Sequence, residues 1–204
     1  MFALVDKSDN SITRMLSGSQ GITLDGIQHP KAIFSLWTEA ERNAINIYTV
    51  EINNSKRKNT EWYVNTNVTY SFNGSKVTGS YGDATARAHA DTLFTAQDES
   101  DGKGTEGDVK DEGLKTKLIR DIKNQAENEL NKTDWYITRK AEKDTAIPSA
   151  VSTHRDAVRS KQAEMETAIT NASDTPALET LYTYTTQEDG STTRPLGELP
   201  TKDF

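Results

Sequence analysis

LKTKLIRDIKNQAENELNKTDWYITRKAEKDTAIP, residues 114–148, is where the chain changes its hydrophobic period. Leu114, Leu118, Ile122, Ala126 and Leu130 recur every fourth residue, with Ile119 beside them, which marks a helix with one apolar stripe. Each step of four overshoots a turn by about 40°, so the stripe winds slowly around a rod of roughly 25 to 30 Å. Thr133 can cap a new helix, with Asp134 near its positive end. Alternatively the first helix runs on, because Ile137 and Ala141 continue the face of Ala126 and Leu130. Pro148 forces a break and suits the first turn of a second helix. Val151, Val158, Met165 and Ile169, with Ala157 and Ala168 alongside, give that second helix its apolar face. Two antiparallel helices joined by a short loop bury such stripes against each other, which predicts a helical hairpin over residues 113–172.

Upstream of the hairpin, residues 98–112 hold seven acids against two lysines, a net of −5 within a chain of net −7. So polar a stretch buries too little apolar surface to order itself, and it reads as an acidic linker or loop. Residues 1–97 read as a β-rich module with one short helix. Phe2–Val5 and Ser11–Met15 are short strand-like runs, and GITLDG, starting at Gly21, suggests a third strand and a turn. Thr38 with Glu41 three residues on is a capping-box pattern, so a helix should run from Glu39 to Ile45. Asn46 can stop it in the left-handed conformation, and Ile47–Ile52 resumes as strand. Val68, Tyr70 and Phe72 alternate with Thr69 and Ser71 before Asn73-Gly74, which predicts a hairpin with a two-residue turn. That turn pairs Phe72 with Ser75 and Tyr70 with Val77. Trp62 and Val64 fall on a neighbouring strand, while Ala84–Ala90 fits strand or helix. Downstream, residues 173–204 read as a short helix, capped by Asp174 with Pro176 in its first turn, and an extended tail. The fold class expected is therefore α+β.

The core is thin: Leu, Ile, Val and Phe number 37 of 204, about 18%. A chain so poor in apolar side chains is marginal alone and gains stability where partner surfaces complete its core. There is no cysteine, hence no disulfide and no thiolate zinc site. MFALVDKSDN lacks the basic start and the roughly 7 to 15 apolar residues of a secretory signal. No run approaches the length of a membrane helix, so no membrane insertion is expected. A pI near 5.1 argues against a nucleic-acid partner.

No catalytic constellation stands out. His29, His89 and His154 lie far apart and in no metal-ligand spacing, so each reads as a solvated or hydrogen-bonded side chain. Neither a nucleophile elbow nor a phosphate loop occurs, and DESDG at residues 98–102 lacks the frame of a calcium loop. No enzyme and no cofactor is expected. Trp62, Tyr63, Tyr70, Phe72 and Tyr81 read first as hairpin core and cross-strand pairs, and second as a glycan-binding surface.

Thr133, Asp134, Trp135, Tyr136, Arg139, Glu142, Pro148, Arg155 and Arg159 form the pattern T-D-W-Y…R-x-x-E…P…R-x-x-x-R. It resembles the C-terminal helical element of tailed-bacteriophage virion structural and tail-fibre-associated proteins, tail-fibre assembly proteins among them. The likeness covers about residues 114–172 and is looser at MFALVDKSDNSITRM and around Trp37 to Val50. It implies a virion component of tail, baseplate or fibre, made in the host cytoplasm, that assembles with other tail or fibre proteins and with copies of itself. A transient tail-fibre assembly chaperone is the alternative, and a receptor-binding module with a host glycan as ligand is a third. In the first reading residues 1–97 attach to a neighbour while the hairpin packs on another subunit. Leu114, Leu118, Ile122, Leu130, Val158 and Met165 are its structural stripes. Trp135 reads as an anchor packed across the helix pair with Arg139 stacked on its ring, or else as half of an exposed Trp135–Tyr136 pair open to a sugar or a partner side chain. Glu142 is placed to bridge the helices through Arg155 or Arg159.

Overall fold

The computed structural model describes residues 1–204. It is an α+β chain of two compact units, Met1–Thr85 and Ala86–Phe204. The junction falls at Thr85/Ala86 and not at residues 97/98, so the acidic segment belongs to the helical unit.

In the first unit the strands are β1 (Phe2–Asp6), β2 (Ser11–Leu16), β3 (Ile22–Leu24) and β4 (Ile27–His29). Helices α1 (Ile33–Leu36) and α2 (Glu39–Ala44) lead to β5 (Ile47–Asn53), then β6 (Tyr63–Val64), β7 (Thr69–Phe72) and β8 (Val77–Ser80). The main sheet has the order β2-β1-β5-β8-β7. All its pairs are antiparallel except β5 with β8, which run parallel with Val50 opposite Val77. Interior strand β1 is apolar at four successive positions, Phe2 to Val5, and the sheet buries both faces. Ala3 and Val5 join Tyr48, Phe72 and Val77 in one core; Phe2 and Leu4 pack on Leu16, Ile22, Ile33 and Ile47 in the other.

Local signals predicted much of this. Thr38 and Glu41 form the expected capping box, and Asn46 takes φ 61° to end α2. The hairpin β7–β8 forms, but with a longer turn: Phe72 pairs with Val77, not Ser75. The Asn73 carboxamide oxygen accepts from the amides of Ser75 and Lys76, closing a four-residue loop that outcompetes the tight turn. A register shift of two keeps each side chain on its face, so Tyr70 and Val77 still share one.

The second unit starts from β9 (Thr85–Ala86), at the junction. Next come β10 (Thr92–Leu93), α3 (Ala96–Ser100) and β11 (Val109–Asp111). The helices α4 (Leu114–Asn131), α5 (Asp134–Lys143), α6 (Ser149–Asn171) and α7 (Thr175–Tyr182) come after them, then β12 (Thr185–Thr186) and β13 (Thr192–Thr193). Contrary to the linker reading, residues 98–112 are ordered. α3 carries its own capping box between Thr95 and Asp98, and β10 pairs with β11. Local hydrogen bonds and the Lys110–Asp98 pair, at 3.1 Å, replace the apolar core that the composition denies. The Thr95 amide and hydroxyl and the Lys110 ammonium hold the Asp98 carboxyl down to about 2.

Ala84–Ala90 forms no helix; its extended backbone serves α4 instead. The Leu114 and Lys115 amides donate to the carbonyls of Ala88 and His89, and Asp91 accepts from the Gly113 amide at 2.7 Å. Three orphan donors at the helix start are thereby satisfied from outside the helix. Gly113 is required there, because a Cβ would collide with the Ala90 backbone.

Helices α4 and α6 pack antiparallel, with the Lys115 ammonium on the Thr170 carbonyl at one end and His154 on Glu129 at the other. Leu114, Leu118, Ile122 and Ala126 meet Val151, Val158, Met165 and Ile169, all buried. The connection is not a short loop: α5 stands inside it. Asp174 accepts from the Ala177 amide with Pro176 in the first turn of α7, as its sequence indicates.

Candidate functional site

The apolar stripe of α4 drifts as its 3.6-residue period requires. After Ala126 the buried position is Glu129, and Leu130 is only half-buried. At this end of the hairpin the interior is polar: Glu129, Thr133, His154 and Arg155 are all buried. His154 Nε2 lies 3.0 Å from Glu129 Oε1, and the backbone amide of Lys202 donates to the same oxygen at 3.0 Å. Lys132 pairs with the other carboxylate oxygen. Burial pushes the Glu129 carboxyl up, but Lys132, the Lys202 amide and His154 outweigh it and hold the carboxyl below its ordinary value. The Phe204 ring lies 5.2 Å from the His154 ring and packs against the pair.

Beside it, Arg155 Nη1 reaches the Leu130 carbonyl, Thr133 Oγ1 and Asp134 Oδ1, each at 2.7 Å. This replaces the predicted bridge to Glu142, which is exposed, while Arg159 turns to Asp156 at 3.5 Å. Arg155 reaches inward because Asp134 opens α5 directly over it, whereas Glu142 lies two turns further along.

No residue of helix α5 is fully buried, and Tyr136 and Arg139 are half-buried. The reading of Trp135 as an anchor across the helix pair is overturned: its ring is 51% exposed. The break at Thr133 turns it away from the α4–α6 interface. Trp135 and Tyr136 stack at 3.9 Å between centroids, and the Arg139 guanidinium sits 4.6 Å from the Trp135 ring and 5.4 Å from that of Tyr136. Ile137 is 41% exposed. Arg139 thus stacks as its spacing from Trp135 predicts, but on a half-buried Tyr136 and an exposed Trp135 ring. Two aromatics already stacked on each other and on a cation lose little side-chain freedom when a partner covers them.

Of the residues singled out from sequence, Leu114, Leu118, Ile122, Arg155, Val158 and Met165 lie inside the unit and Leu130 at its edge. Trp135, Tyr136, Arg139 and Glu142 share α5, and Arg159 is exposed on α6. The hairpin stripes therefore cover each other and leave no apolar seam for a neighbour. Glu129, His154, Lys202 and Phe204 carry no motif that marks them. The only sequence signal for Glu129 is the drift of the stripe, which carries position 129 inward. In the first unit Trp62, Tyr63 and Phe72 are buried, which removes them from any sugar-binding surface. No group of three His, Asp or Glu side chains is placed to hold a metal ion, and no helix is long and apolar enough to cross a membrane.

The arrangement offers a pre-stacked aromatic face on a helix pinned at its start, which suits protein recognition. No known protein family, curated protein or solved structure matches the chain.

Proposed function

We propose that this chain is a structural component of a tailed-phage particle, associated with tail, baseplate or fibre, which works by protein–protein assembly. The viral setting rests on the T-D-W-Y…R-x-x-E…P…R-x-x-x-R resemblance. The mode of action rests on one observation: α5 carries Trp135 and Ile137 exposed and Tyr136 only half-buried, and none of its residues is fully buried in its own chain. Aromatic residues and arginine are the side chains that dominate protein interfaces when covered. The docking surface is thus α5, and the closed stripes of α4 and α6 are its support.

Mass spectrometry of purified particles of the virus that encodes the chain tests this. A fixed stoichiometric amount is expected, lost in Trp135→Ala but kept in Arg159→Ala. Absence from particles, together with fibreless particles on deletion of the gene, would instead favour the assembly chaperone. Absence from particles with normal fibres on deletion would sink both.

A further inference from the structure

We infer that the break between α4 and α5 is a latch closed by Arg155, and that opening it joins the two helices into one continuous rod. Nothing in Asn131-Lys132-Thr133-Asp134 forbids a helix: there is no glycine and no proline. Lys132 is still helical (φ −57°, ψ −23°), and Thr133 alone leaves the helical region (φ −118°, ψ 6°). In an unbroken helix the Leu130 carbonyl accepts the Asp134 amide. Here that oxygen is already taken, by Arg155 Nη1 at 2.7 Å, Thr133 Oγ1 at 2.9 Å and the Thr133 amide at 3.0 Å. The interruption is therefore held by Thr133 locally and, from α6, by a cation that captures the same acceptor the next turn needs.

Arg155 is held incompletely. Its Nη1 has two protons for three acceptors, and its Nε is buried without a partner. A contact left partly unsatisfied is one that a competing arrangement can displace. The apolar register favours joining, because Ile137 and Ala141, both exposed, continue the face of Ala126 and Leu130. Chain length permits it as well. A continuous rod carries Lys143 about 18 Å beyond Asn131. The six steps from Lys143 to Ser149 span up to roughly 20 Å, so α6 can stay where it is.

Opening the latch extends the α4 stripe past the end of the hairpin through Ile137 and Ala141. This deepens the assembly reading by making the docking helix a two-state element, yet it is measured on the purified chain and fails separately from particle membership.

The test is amide exchange by NMR at Asp134 and Trp135, the first-turn donors that a break leaves without helical acceptors. In Arg155→Met both amides should exchange roughly tenfold more slowly than in the unaltered chain, with the Thr133 Cα shift moving to helical values. Thr133→Ala should act in the same direction, since it removes the competing hydroxyl and restores a strong helix former. Ile122 amide protection reports that the hairpin is intact, and if Arg155→Met unfolds it, Thr133→Ala decides. Fast exchange at Asp134 and Trp135 in an intact variant overturns the latch. So does finding both amides already protected in the unaltered chain.

Discussion

Ile122→Ala set beside Trp135→Ala separates a hairpin closed upon itself from one that a partner must complete. Ile122 is 1% exposed at the centre of α4, facing α6, and Trp135 is 51% exposed on α5. Truncating a buried isoleucine removes its transfer free energy and leaves a cavity, which costs about 2 to 5 kcal/mol. For a unit of the size of Ala86–Phe204 each kcal/mol lowers the melting temperature by about 4 °C, so a drop of roughly 8 to 20 °C is expected. Trp135 is the larger side chain, but it forfeits only a half-exposed surface and a cation–π contact worth about 0.5 to 1 kcal/mol. Its loss should move the transition by only a few degrees. Thermal unfolding of the purified chain followed at 222 nm reads both. If Trp135→Ala proves the more damaging, or Ile122→Ala costs under about 1 kcal/mol, then the stripes are not closed within the chain and α5 is not the free face.

The geometry sets three further outcomes. Glu129 titrates below its ordinary 4.5 when folded, so its stabilisation is complete above that value and drains away as pH falls through the lowered pKa. The melting temperature of the helical unit should decline with acid below about pH 4.5, and Glu129→Gln should flatten that decline; an unchanged slope in the variant would show that the carboxylate is not responsible. Deleting residues 98–107 should expose the remainder of the β10–α3–β11 segment to limited proteolysis, because it removes the Thr95–Asp98 capping box and the Lys103 pairs; a digest like that of the intact chain would restore the linker reading. Gly113→Ala should weaken the start of α4, since its Cβ meets the Ala90 backbone, and rapid exchange at Leu114 with an undisturbed Ile122 is the expected signature.

The thin core has a different meaning once the chain is folded. Few apolar side chains suffice because they are divided among two faces of a small sheet and one helix pair, and because polar groups occupy interior positions with partners. Glu129, Thr133, His154 and Arg155 fill interior places at this end of the hairpin, and their mutual hydrogen bonds offset the desolvation of all but the Arg155 Nε. This polar end is also where α5 leaves the hairpin. The apolar stripes cover each other, and the exposed large apolar side chains of α5 are Trp135 and Ile137.

What the sequence determined by itself lies within about four residues of each signal. The Thr38–Glu41 box, the left-handed Asn46, the Asp174 cap with Pro176 and the stripe from Leu114 to Ala126 all appear where their patterns indicate. Each is settled by a hydrogen bond or a periodicity that the local chain completes alone. Tertiary structure decided the rest: the parallel pairing of β5 with β8, the Ala88 and His89 carbonyls at the start of α4, the Lys202 amide on Glu129, and the outward turn of Trp135. In each case the deciding atom comes from a distant segment. Arg155, twenty-five residues beyond Leu130, takes the carbonyl that α4 would have used to continue, and no pattern local to residues 130–135 records that capture.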